Sequence, residues 1–170
     1  MNKDNIVLSG FMGTGKTTVG MLLALKLNYT FVDTDQEIEA QQGRSIAEIF
    51  AEEGEEFFRK LETETAIKLS AGKKQVIATG GKLMLNPVNS KSLNKTSHIF
   101  CLTASVEEII KRVSADSGAV RPLLVGDSPE KTVRSLLEER QEGYAQFRQI
   151  DTTGLSPQEI VEQIVALTDH

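Results

Sequence analysis

The 170-residue chain is 39% hydrophobic and 25% charged, with a net charge of −5, the balance of a single soluble domain able to bury a sizeable core. No basic block stands out, which argues against a nucleic-acid partner, and no apolar run nears the ~20 residues that a membrane span needs. The opening MNKDNIVLSG leads directly into a strand and carries no secretory signal, so the expected compartment is the cytoplasm.

The first apolar run, Ile6 to Leu8, predicts a strand over Asn5–Ser9. Gly10-Phe11-Met12-Gly13-Thr14-Gly15-Lys16-Thr17 follows and fits GxxxxGK(S/T), and a helical pattern (Val19, Leu22, Leu23, Leu27) comes next. Strand, glycine loop and helix in that order are the context of a phosphate-binding P-loop. A triphosphate concentrates negative charge on closely spaced oxygens, and backbone N–H groups at the positive end of a helix receive it. Gly10, Gly13 and Gly15 let the backbone curl around the phosphates. Gly13, Thr14, Gly15, Lys16, Thr17 and Thr18 are therefore ATP-binding candidates. Lys16 is placed to reach the β- and γ-phosphates, and Thr17 to offer its hydroxyl to Mg2+. The loop alone does not separate a kinase from an ATPase or a GTPase.

The second strand, Thr30–Asp33, ends in Asp33-Thr34-Asp35. Strand ends in such sheets face the ligand crevice. Asp33 is a candidate for holding Mg2+ through water, and Asp35 for orienting and deprotonating a hydroxyl; alternatively, Asp35 is a first-turn acid favoured by the helix dipole. Thr34/Glu37, Ser45/Glu48, Ser105/Glu108 and Ser156/Glu159 read as capping boxes, and Pro129 and Pro157 as first helical residues. On the helix that follows, Phe58, Leu61, Thr65 and Leu69 share a face, and Arg59 pairs by spacing with Glu62. An arginine so aimed suits a carboxylate; an ordinary surface ion pair is the plainer alternative.

The third strand, Gln75–Ala78, runs into Thr79-Gly80-Gly81, which serves either close backbone approach to a ligand or a plain turn. The fourth, Ser97–Leu102, holds the single cysteine, Cys101, expected as a buried structural thiol. One cysteine makes no internal disulfide, in keeping with a reducing compartment. Ala115 to Ser128 has no clear period and suits a lid or a surface insertion. Arg121 within it is the kind of cation that P-loop transferases bring over the transferring phosphate. A short fifth strand falls at Gln149–Thr152. Alternation of strands and helices implies a mainly parallel sheet covered on both faces, in one α/β domain spanning residues 1–170.

Together these motifs resemble shikimate kinase, a small P-loop kinase of the nucleoside-monophosphate-kinase type. GFMGTGKT resembles its Walker A loop, and Asp33 to Asp35 its D-x-D. Phe58-Arg59 with Glu62 is similar to its FRxxE motif, and Ala78 to Gly81 to its glycine motif. Arg121 to Leu124 resembles its lid, and Arg140 with Tyr144 its late R-x-x-x-Y element. The resemblance covers nearly the whole chain. It implies a three-layer P-loop kinase fold with a five-stranded parallel sheet, helices on both faces, substrate-binding helices over about 34–70 and a mobile lid over about 115–128.

The implied reaction is phosphorylation of the 3-hydroxyl of shikimate by ATP with Mg2+, on the route to chorismate and aromatic amino acids. Carried across, Asp35 binds the ring hydroxyls and acts as base, while Arg59 and Arg140 clamp the carboxylate. Phe50 and Phe58 line the pocket, and Gly80 and Gly81 contact the substrate. Lys16 and Arg121 stabilise the transferring phosphoryl group, Arg112 packs on the adenine, and Thr17 and Asp33 serve the metal. A monomer acting on ATP and shikimate is implied, with neither nucleic acid nor membrane as partner. Two departures stand out. Lys82 occupies the place of the family's third glycine, and the late element lacks its usual proline. A kinase for gluconate or a nucleotide, and a non-catalytic ATP-binding module, are the rival readings.

Overall fold

The computed structural model describes residues 2–115 and 128–168. In chain order these form β1 (Asn5–Gly10), α1 (Lys16–Leu27), β2 (Thr30–Asp33), α2 (Thr34–Gln42), α3 (Ile46–Glu53) and α4 (Glu55–Ser70). There follow β3 (Gln75–Ala78), a 3-10 turn (Leu83–Leu85), α5 (Pro87–Asn94), β4 (Ser97–Thr103), α6 (Val106–Ala115), α7 (Pro129–Ala145), β5 (Arg148–Asp151) and α8 (Pro157–Thr168). The five strands form one parallel sheet in the order β2-β3-β1-β4-β5.

β1 lies at the centre with all six residues buried, as a parallel strand covered on both faces must. Successive side chains leave it in opposite directions. Ile6 and Leu8 pack with Val19 and Leu23 of α1 and Ile160 and Ile164 of α8. Val7 packs on the other face with Ala66 and Leu69 of α4, Leu83, Met84 and Leu93. The sheet is thus the middle layer of three, and the carboxyl ends of β1, β2 and β3 open onto one crevice, the usual ligand position in such sheets.

The capping boxes of α3 and α8 form in full: Ser45 with Glu48, and Ser156 with Glu159. That of α6 is half made. Ser105 Oγ accepts from the Glu108 N–H, but the Glu108 carboxylate turns to Arg112 instead. The box expected at Thr34 does not exist. Asp33 caps α2, its Oδ1 accepting from the N–H groups of Asp35 and Gln36. Thr34 is buried, and its hydroxyl accepts from the Gly80 N–H at 3.0 Å. Glu37 pairs with Lys68 of α4. β5 starts and ends one residue earlier than expected, and Thr152 just beyond it bonds to the Thr103 carbonyl. Cys101 is buried, and burial pushes its thiol up to about 11. Most of the expected lid, with Arg121, lies outside the described residues.

At the end of β1 the chain turns away through Gly10, at φ +132°. A Cβ there would both strain the backbone and collide with the Leu102 carbonyl oxygen on β4. Gly10→Ala is expected to cost about 3 kcal/mol, a fall of about 6–12 °C in Tm for a chain of this size. A thermal melt within about 2 °C of the parent would show that the β1–β4 edge yields freely.

Candidate active site

The crevice holds a cavity of about 700 Å³, with the P-loop at one end and the Asp35, Arg59 and Gly80-Gly81 groups at the other. At the P-loop end, Gly13 and Gly15 take φ +73° and +95°. α1 begins at Lys16 with no side-chain cap and no acid in its first turn. Its first N–H groups are the natural receptor for phosphate. Lys16 Nζ donates to the carbonyls of Gly10 and Phe11, at 2.7 and 2.8 Å. Thr14 is buried and donates its hydroxyl to the Phe11 carbonyl. Thr17 and Thr18 both line the cavity.

Thr17 Oγ1 lies 3.4 Å from Asp33 Oδ2. The Asp33 carboxylate is thereby divided: one oxygen caps α2, the other faces the P-loop hydroxyl. Hydroxyl and carboxylate oxygens are the hard donors that Mg2+ prefers, and it takes few of them from protein when phosphates supply the rest. Thr17 and Asp33 supply two such donors side by side, a set that suits an ion shared with a nucleotide.

At the far end, Asp35 is pushed up from 3.8 to about 6, chiefly by burial and then by the nearby Asp33, against the pull of Lys16. Glu62 of α4 is buried close by, and burial raises its carboxyl too, although Arg59 opposes this. Both acids crowd Gly80: a Cβ there would sit 2.8 Å from Asp35 Oδ1 and 3.4 Å from Glu62 Oε1. Arg59 is held from two sides, with Nη1 donating to Glu62 at 2.7 Å and Nη2 to Glu55 at 3.1 Å.

Arg140 of α7 enters opposite, 5.3 Å over the Phe11 ring. Its Nε is buried without a hydrogen-bond partner among the described residues. A Cβ on Gly81 would lie 3.1 Å from its Nη1, so the bare Gly81 backbone makes room for the guanidinium. One turn on, Tyr144 donates its hydroxyl to the Gly81 carbonyl at 2.5 Å.

Phe58 lines the cavity; Phe50 does not. The Phe50 ring backs Phe58 at a centroid distance of 4.9 Å and is 36% exposed, while Ile46, one turn earlier on α3, takes the lining position. Arg112 donates to the Gly13 carbonyl, to Thr152 and to Glu108, which puts it against the outer wall of the P-loop. The sequence reading passed over Ile46, Glu55 and the Tyr144–Gly81 bond. Only Tyr144 carried a signal, its place four residues after Arg140.

The shikimate kinase family model matches residues 12–168. The chain belongs to the shikimate kinase family. It is 47% identical to shikimate kinase of Caldanaerobacter subterraneus subsp. tengcongensis, over 95% of this chain and 94% of that protein. It is also 47% identical to shikimate kinase of Thermodesulfovibrio yellowstonii, over 95% and 92% of the two chains. The structure of Acinetobacter baumannii shikimate kinase in complex with shikimate superposes with a TM-score of 0.87 at 37% identity, covering 96% of this chain and 92% of that one. As a member of that family the chain is a kinase.

Ionised Asp35 is a cost to the fold. Between 3.8 and about 6 the folded chain holds a proton that the unfolded chain has lost, so stability falls as pH rises through that window. Asp35→Asn, neutral and nearly isosteric, is expected to be more stable than the parent near about pH 7.5, by on the order of 2 kcal/mol. The gain should vanish as pH falls to about 4. Urea unfolding at both pH values reads this directly, and equal midpoints at the higher pH would show that Asp35 ionises without penalty.

Proposed function

We propose that the chain transfers the γ-phosphoryl group of ATP to the 3-hydroxyl of shikimate, giving shikimate 3-phosphate and ADP. The observation that carries the reading is one cavity in which a P-loop faces a carboxylate with a raised pKa, flanked by two arginines. The helix N-terminus and Lys16 receive the phosphates. Asp35 accepts a hydrogen bond from the acceptor hydroxyl and takes its proton as the oxygen attacks the γ-phosphorus. The bond from the γ-phosphorus to the bridging oxygen breaks, and ADP leaves with the electron pair. Arg59 and Arg140 bind the acceptor's carboxylate. The buried, unpartnered Nε of Arg140 supports this, because an unmade donor is costly until a ligand takes it.

Gly80 and Gly81 let the acceptor approach the backbone, and Phe58, backed by Phe50, forms an apolar wall. Thr17 and Asp33 would hold Mg2+, which when bound neutralises charge developing on the phosphate oxygens. Arg121 keeps the role that the resemblance gives it, a countercharge on the transferring group. Arg112 braces the P-loop from outside through the Gly13 carbonyl. The chain is proposed to act as a monomer in the cytoplasm. No helix among the described residues is long and apolar enough to cross a membrane.

The first assay is ADP release from MgATP with shikimate, gluconate or AMP as acceptor. Stimulation by shikimate alone is the expected result. ATP binding without stimulation by shikimate would overturn the reading. Lys16→Ala and Asp35→Asn should each lower kcat at least about a hundredfold, and a near-normal rate in either variant removes that residue from the mechanism. Because Asp35 works as the ionised form, kcat/KM for shikimate should decline below about pH 6. Arg59→Ala should act mainly through the KM of shikimate.

A further inference from the structure

Lys82 stands at the mouth of the acceptor end of the cavity, and nothing in the mechanism above uses it. Its backbone lies at φ −106°, ψ −9°, a conformation open to any residue. The side chain is therefore not forced aside by strain. The residues just after it, Leu83 and Met84, are fully buried, and the Leu85 N–H bonds to the Lys82 carbonyl at 3.0 Å. The base of the side chain is fixed, while its far end is partly exposed to solvent. It lines the cavity together with Arg59 and Arg140.

Its ion pair among the described residues is with Glu55. Nζ lies 3.8 Å from Oε1, the side chain being 37% exposed and that of Glu55 57%. That separation is an ionic contact too long for a hydrogen bond. The same Oε1 receives Arg59 through Nε at 3.3 Å and Nη2 at 3.1 Å. One exposed carboxylate oxygen thus serves two cations, and Arg59 has the better share. Arg59 is also fixed by Glu62; Lys82 has no comparable second hold among the described residues. A flexible ammonium on a loose, water-exposed pair exchanges partners at little cost.

We infer that Lys82 is a specificity residue for the acid group of the acceptor: its ammonium moves from Glu55 onto the acceptor carboxylate, adding a third cation to Arg59 and Arg140. Glu55 is the counter-ion that holds Lys82 at the rim until an anionic acceptor arrives. The inference rests on the proposed reading of the acceptor, and it makes the binding of an acid, rather than of a neutral polyol, depend on Lys82. A contact at the exposed rim is screened by salt.

The test is steady-state kinetics of the full chain and of Lys82→Met, Lys82→Arg and Lys82→Gly, with shikimate and its neutral methyl ester as acceptors. Lys82→Met should raise the KM for shikimate about 3- to 10-fold, with kcat and the KM for ATP held. Lys82→Arg should recover most of the loss. The methyl ester should be used equally by the parent and Lys82→Met. Added NaCl should raise the KM for shikimate more steeply in the parent than in Lys82→Met. Three results would each overturn the inference: an unchanged KM for shikimate in Lys82→Met, an equal rise for acid and ester, or a lower KM in Lys82→Gly. The last would mean that the side chain only narrows the cavity. These failures leave the parent active on shikimate. A parent that binds ATP and ignores shikimate marks the separate failure of the functional reading, and takes this inference with it.

Discussion

The first turn of α1 has no side-chain cap, and its N–H groups, which no preceding helical turn can engage, are the constraint around which the rest is arranged. The N–H groups of a helix start need partners, and the helix dipole favours an anionic one. Here Gly13 and Gly15 bend the chain so that the bare end faces the crevice, and Lys16 ties the loop to itself through Gly10 and Phe11. The neighbouring helix shows the opposite solution. α2 is capped by Asp33, whose second oxygen still faces Thr17. The two helix starts thus meet across one carboxylate, which stabilises one helix and remains on offer to what binds the other.

Beyond the phosphate end, the site is built from charges that would be costly if each stood alone. Asp35 and Glu62 are like charges in a confined space, and both are raised by burial. Arg59 offsets part of this by pairing with Glu62. Gly80 provides the room, since any side chain there would meet both carboxylates. Such an arrangement trades stability for a group that titrates close to neutrality, a common condition of proton transfer at an active site.

The strands, the glycine loop and the Arg59–Glu62 pair were legible because each rests on local spacing. β1 reads as an apolar run because it is buried on both faces, and α4 shows its buried face at helical intervals. What escaped depends on which of several competing partners or neighbours a side chain meets once the chain has folded. Asp33 and Thr34 are both good capping residues, and the contest between them is settled by Gly80, whose N–H engages the Thr34 hydroxyl. Glu108 has the position of a capping-box acid, but an arginine one turn later draws it off. Phe50 and Ile46 lie a turn apart on one short helix, and the way α3 rests against α4 decides which of them faces inward. The pairing of Lys82 with Glu55 joins the turn after β3 to the start of α4, which no periodicity connects.

The bond from Tyr144 to the Gly81 carbonyl has a mechanical meaning. Arg140, Gly143 and Tyr144 occupy one continuous helix. Gly143 lets that helix come so near the 3-10 turn that a Cβ would collide with Leu85. Helix and glycine loop are accordingly fastened at two points, and the first of these holds α7 beside Gly81, where Arg140 lies. Arg59 rides on a different helix, in different company. The far end of the cavity is a caliper whose two arginine-bearing jaws are braced differently, the α7 jaw to the glycine loop and the α4 jaw to acids of its own helix.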